Sequence, residues 1–296
     1  GGQAQGIGNV LLARIVQKCT PVETDLLESW MKKTLILMPF LAALTAGAGA
    51  QTAPAAPAPE PAASPFTANI NLTTKYKFRG QDQGNTKWFS PALQGGFDWS
   101  QNGFYLGNWN SNVSFTNASL EMDFYVGYKG EIAKDVGYDV GVLQYYYPQK
   151  NRTLDFNVTE LYGALSYDWL SFKTSWTVSK DYFGIGESFQ QGVPLMAMPK
   201  GRNTLYFDLS GNYPLVDKLT LNAHVGYTRY ASDLRNVRDG AGASIGVPSF
   251  ADYKLGVTYD LGSGFSAAGA LVGATKKDYY GDINKARVIF TISKVM

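Results

Sequence analysis

From residue 67 onward, apolar and polar residues alternate with a period of two. Leu219, Leu221, Ala223, Val225 and Tyr227 interleave with Thr220, Asn222, His224, Gly226 and Thr228. Leu120, Met122, Phe124, Val126 and Tyr128 interleave with Glu121, Asp123, Tyr125, Gly127 and Lys129 in the same way. Successive side chains of an extended strand point to opposite faces, so the pattern predicts strands with one apolar and one polar face. Twelve such segments are predicted, near 67–79, 89–99, 104–114, 119–131, 136–147, 156–167, 170–180, 203–213, 218–230, 251–261, 265–276 and 285–296. The third, fifth and eleventh are less clean, because Gly, Ala and Asn blur their two faces.

The connections decide the architecture. Odd-to-even links are long (80–88, 148–155, 181–202, 231–250, 277–284), with 115–118 the short exception, and even-to-odd links are all tight turns. A soluble sandwich has no reason to sort its loops by end. A transmembrane antiparallel up-and-down β-barrel does, with short periplasmic turns and longer extracellular loops. The expected fold is therefore all-β, a barrel of about 12 strands over residues 67–296, with both termini at the periplasmic end. Segment lengths suit a bilayer, which a tilted strand crosses in about 9–11 residues. Aromatic residues near the segment ends (Tyr76, Phe78, Trp99, Trp169, Trp176, Tyr213, Tyr227, Tyr259) are expected to form interfacial girdles.

Composition agrees. Only 17% of residues are charged, against an average near 25%, and the chain is rich in Gly and Tyr. The net charge of +2 leaves no electrostatic footprint for nucleic acid. One Cys and one His exclude a disulfide framework, a cysteine zinc finger and multi-histidine metal sites, and no cofactor is expected.

Met31-Lys-Lys, the apolar run beginning at Thr34 and the small residues up to Ala50 have the layout of a signal peptide, so 31–50 is expected to be an export signal. Residues 1–30, which hold Cys19, then read as a non-native or mis-called leader. Residues 51–66 form an Ala/Pro-rich tract that suits an extended periplasmic linker. At the other end, Val288, Phe290 and Ile292 alternate toward Met296, as in the closing strand recognised by the barrel-assembly machinery, although Met296 stands where an aromatic residue is usual.

Several motifs carry a family resemblance. They are Asn71-Leu-Thr-Thr-Lys-Tyr76-Lys-Phe78-Arg79-Gly80, Gly103-Phe-Tyr-Leu-Gly107-Asn-Trp109, Glu121-Met-Asp123-Phe-Tyr125-Val-Gly127-Tyr128, Tyr145-Tyr146-Tyr147-Pro148 and Asp181-Tyr182-Phe183-Gly184. Together the chain from 67 to 296 resembles the TorF-type porin family of conserved hypothetical outer-membrane proteins (Gcw_chp). The resemblance implies a barrel in the cell outer membrane of a Gram-negative bacterium, in contact with its lipid, and says little about a solute.

Three functional classes remain open: a porin for passive diffusion of small polar solutes, a structural barrel plugged by its own side chains, and an outer-membrane lipid hydrolase. The last would use His224, but His224 shares the polar face with Asn222 and should point into the lumen, away from acyl chains. The chain is therefore not expected to be an enzyme. By the same parity Lys75, Lys77, Arg79 and Arg287 point inward from one side, and Glu121, Asp123, Asp139 and Glu160 from the other. These eight are the candidate pore-lining residues. They either line a wetted channel or pair across a collapsed lumen. The precursor should begin at Met31; N-terminal sequencing checks this, and a precursor starting at Gly1 contradicts it.

Overall fold

The computed structural model describes residues 64–114, 118–148, 154–189 and 198–296. The expected leader, export signal and nearly all of the Ala/Pro tract lie outside the described residues. Within them, twelve antiparallel strands close into a barrel. They are β1 (Phe66–Thr73), β4 (Ala92–Gln101), β5 (Phe104–Asn112), β6 (Leu120–Ala133), β7 (Val136–Tyr146), β8 (Val158–Tyr167), β9 (Leu170–Thr177), β10 (Leu205–Val216), β11 (Leu219–Arg229), β12 (Phe250–Gly262), β13 (Phe265–Ala274) and β14 (Arg287–Val295). Two further strands, β2 (Lys77–Phe78) and β3 (Gln81–Asp82), pair only with each other.

Closure satisfies every strand edge. β1 pairs with β4 on one side and with β14 on the other, in register from Asn69↔Val295 to Thr73↔Thr291. Ala68 and Met296 extend the seam by exchanging backbone hydrogen bonds of 2.9 and 2.8 Å. An open edge in hydrocarbon would leave a row of unpaired N–H and C=O groups, each costing several kcal/mol. The tight turns gather at the end that holds the termini. Between β4 and β5, for example, Asn102 (φ 52°) and Gly103 (φ 85°) make a two-residue connection of the type that Asn-Gly favours.

The two faces sort as the period of two dictates. Outward positions are large and apolar: Leu209 is 52% exposed, Val257 40% and Phe290 55%. Inward positions are polar, and Thr258 donates to Asn222, which donates to Asn212, across β12, β11 and β10. One boundary differs from the sequence pattern. The first strand was expected over 67–79 but ends at Thr73, and the chain then turns into the barrel. The alternation continues because β2 is itself a strand, and period two does not say which sheet a strand joins. Tyr76 and Phe78 therefore face the interior, packed on Trp109, Tyr145 and Phe183, and do not belong to a girdle.

Arginine at Leu209 or Val257 should cost roughly 2–4 kcal/mol near the membrane midplane, whereas arginine at Asn222 should be tolerated. Heat-modifiable migration of the folded barrel measures this, and equal losses at all three positions would contradict the assignment of faces.

Candidate functional site

The site is the segment 74–91 that connects β1 to β4 and folds into the barrel. Its tip is a two-residue turn between β2 and β3, with Arg79 at φ 46° and Gly80 at φ 74°. Gly80 fits because it has no side chain: a Cβ there would lie 2.6 Å from Asp252 Cβ and from Gly273 O. The tip is thus pressed against β12 and β13. Its side chains reach around the rest of the wall.

Arg79 spans the lumen. Its two terminal nitrogens lie 3.0 and 2.7 Å from the Glu160 carboxylate on β8, in a bidentate pair. Nη1 also donates to the Tyr182 hydroxyl at 2.7 Å, and the guanidinium stacks 4.1 Å from the Tyr206 ring centroid. Burial pushes the Tyr182 hydroxyl up to about 12, against the pull of Arg79, so it stays a neutral partner. The loop holding Tyr182 is itself anchored: the Asp181 carboxylate accepts from the backbone N–H groups of Tyr182, Gly186 and Glu187.

A second cluster surrounds Asp82. Lys75, Lys77 and Arg287 place nitrogens 3.2, 2.8 and 3.9 Å from its carboxylate, which is fully buried. Three cations on one anion leave positive charge over, and carbonyl oxygens absorb it. Lys75 donates to Asn85 O and Lys87 O, Lys77 to Gly80 O and Ile283 O, and Arg287 to Thr86 O. Burial pulls the Lys77 ammonium down, and Asp82 opposes the shift. On the far side Tyr76 and Tyr147 each donate to Glu121 at 2.8 Å. An aromatic cluster fills the space between these polar contacts, with Phe78, Tyr145, Phe183, Tyr182, Tyr230 and Phe250 in edge-to-face or tilted contact.

Of the eight residues singled out in the sequence, Glu121, Asp123, Glu160 and Arg287 are buried on barrel strands and Asp139 is half-buried on β7. Lys75, Lys77 and Arg79 lie inside the barrel but on the folded-in segment, not on a strand of the wall. The structure brings Arg79 to Glu160 and leaves Asp139 apart, where Tyr105 donates to it. Sequence reasoning missed Asp82, whose only signal was its place just beyond the Arg79–Gly80 turn. It also missed Tyr76, Tyr147 and Tyr182, whose pattern suited a girdle as well as a core.

Away from the segment the wall is polar and more accessible. Glu121 and Glu160 are 1% exposed, whereas the inward-facing Asn212, four residues before the end of β10 at its tight turn, is exposed. His224 sits between this wall and the tip of the segment, since its partner Asp252 packs against Gly80. Ser210 Oγ and Asp208 lie 3.1 and 3.2 Å from Nδ1, and Asp252 lies 2.7 Å from Nε2. The distances approach those of a Ser-His-Asp triad, but Ser210 Oγ donates to Asp208 at 2.5 Å. The Ser210 proton is thus directed at Asp208 and not at the ring nitrogen, as a nucleophile–base pair would require.

The family model for bacterial proteins of unknown function designated Gcw_chp matches residues 58–296, and the chain belongs to that family. A search of curated proteins finds no match. Among solved structures the chain is similar to the KdgM porin, at 9% identity over 77% of this chain and 97% of that one, with a TM-score of 0.45. It is similar to the NanC porin at 12% identity, 78% and 98% coverage and a TM-score of 0.46. The outer membrane protein OprD from Pseudomonas aeruginosa matches at 12% identity, 70% and 59% coverage and a TM-score of 0.36.

Arg79→Gln leaves Glu160 buried without its cation, which should cost about 3–5 kcal/mol in docking of the segment. Replacing both partners by Met should recover part of that loss. Hydrogen exchange at the amides of Gln81 and Asp82 reads the docking, and unchanged protection in Arg79→Gln would contradict it.

Proposed function

We propose that this Gcw_chp family member is an outer-membrane channel for passive diffusion of small polar solutes, closed at its extracellular mouth by segment 74–91. The long loops face the outside and the tight turns the periplasm, as is usual for such barrels. One observation carries the reading: the inward face is polar, closed to solvent at Glu121 and Glu160, yet exposed at Asn212 near the β10–β11 turn. A barrel meant only as a structural post has no need of a water-accessible polar wall behind its plug. The resemblance of 71–80 and the following motifs to TorF-type porins supports the same reading.

The plug is of a releasable kind. β2 and β3 form no ladder with the wall, and the isolated bridge between Lys75 and Ser90 lies within the segment itself. Ion pairs and hydroxyl–carboxylate bonds hold it instead. The net worth of buried ion pairs is small, because desolvation offsets most of the Coulomb gain. Water entering with a displaced segment would replace those contacts. The aromatic cluster at the mouth favours the second reading, a permanently plugged barrel, since it would have to part for the segment to leave. Outward-facing Val288, Phe290 and Ile292 on β14 would serve as the strand read by the barrel-assembly machinery.

Planar-bilayer recordings separate the two readings. A variant in which residues 77–82 are replaced by a short Gly/Ser bridge should conduct steadily, at least tenfold more than the intact protein. An intact protein that never carries current above that of bare lipid, even where the variant conducts, would contradict the channel in favour of the permanent plug.

A further inference from the structure

On the outer face of the barrel, β5 breaks the apolar pattern. Asn108, Asn110 and Asn112 occupy three successive outward positions, Asn108 buried among its neighbours, Asn110 half-buried and Asn112 exposed. Their side is fixed by their cross-strand partners: Asn108 stands opposite Phe97 and Phe124, and Asn112 opposite Leu120, all three of these partners exposed apolar residues. Asn110 stands between Met122 and Gly95. Beside Gly95, where a Cβ would lie 2.4 Å from Asn69 O, runs a groove of about 370 Å³ lined by Ile70, Leu93, Gly95, Asn110, Asn112 and Leu120 among others.

The amides are only partly satisfied within the barrel. Asn108 donates to Asp123 O and accepts from Asn110, which also donates to Gly95 O. Asn112 accepts from Leu93 N and donates to Pro91 O. Among the described residues nothing donates to Asn110 Oδ1, and each of the Asn108 and Asn112 amides has a further N–H to give. Hydrocarbon offers no partner to any of these groups, so a bare amide ladder in the belt is costly.

From this we infer that the β4–β5 face is the contact surface between copies of this chain in the membrane. All copies insert in one orientation, so a symmetry axis between them runs along the membrane normal and sets equal depths against equal depths. The Asn ladder then meets itself. An amide is both donor and acceptor, so a second copy supplies at the depths of Asn110 and Asn112 what the first lacks, which no acyl chain can do. The groove at Gly95 lets the two backbones approach closely, as small residues do at packed membrane interfaces.

Disulfide cross-linking in native membranes tests the surface. Asn110→Cys should give a covalent dimer at least tenfold more readily than Leu209→Cys or Val257→Cys, which lie on the opposite side. Changing Asn108, Asn110 and Asn112 together to Leu should leave heat-modifiable folding intact and shift the mass in lipid nanodiscs to that of one barrel. Equal cross-linking at all three cysteine positions would overturn the proposal. So would a single-barrel mass for the unaltered protein, the result expected if lipid fills the groove. Should the triple variant fail to fold, Asn110→Leu alone must lower the dimer fraction, and no change there overturns the proposal as well.

Discussion

The bidentate pair of Arg79 with Glu160 is the contact on which the interior depends. Glu160 is 1% exposed on β8, and the cation that meets it comes from a turn carried by the segment after β1, on the other side of the ring. A carboxylate so buried is costly unless donors meet its oxygens. Satisfying it forces the chain to leave the wall after Thr73 and cross the lumen. Once it crosses, the other contacts follow: Tyr76 reaches Glu121, Lys75 and Lys77 enclose Asp82, and Gly80 closes on β12 and β13. The mouth is shut by the same charges that a wider barrel would leave in water.

The outside obeys a different constraint. Every backbone group in the hydrocarbon must be paired, which the β1–β14 seam accomplishes, and every outward side chain must be apolar or matched. Leu209, Val257 and Phe290 meet that requirement singly. The β5 amides do not, and they mark the part of the belt where something other than lipid is in place. The barrel thus has polar chemistry on both sides of its wall: paired and enclosed within, concentrated on one strand without.

Most of the barrel was legible in the sequence because period two and loop length are both local. All twelve barrel strands and the placement of tight turns at one end follow from them, and so do the inward positions of His224 and Asn222. The end of the first strand was not legible, since Lys75, Lys77 and Arg79 alternate in the same way whether the strand belongs to the wall or to a small hairpin inside it. What decides is the turn at Arg79 and Gly80, and a lone Gly after a basic residue is weak as a signal. Pairing between Arg79 and Glu160, 81 residues apart, depends on closure and has no local trace. The blurred pattern of the third segment had a meaning of its own: Asn108, Asn110 and Asn112 stand where apolar residues were expected.

A reversible tether between the inner hairpin and the wall tests most directly whether segment 74–91 closes the barrel. Gln81 donates to the Asn284 side chain at 2.8 Å, so cysteines at both positions lie within reach of a short linker that joins them through disulfides. The account predicts that single-channel openings are rare while the disulfides are intact and rise severalfold when they are reduced. Openings of equal frequency and size in the two states would contradict it.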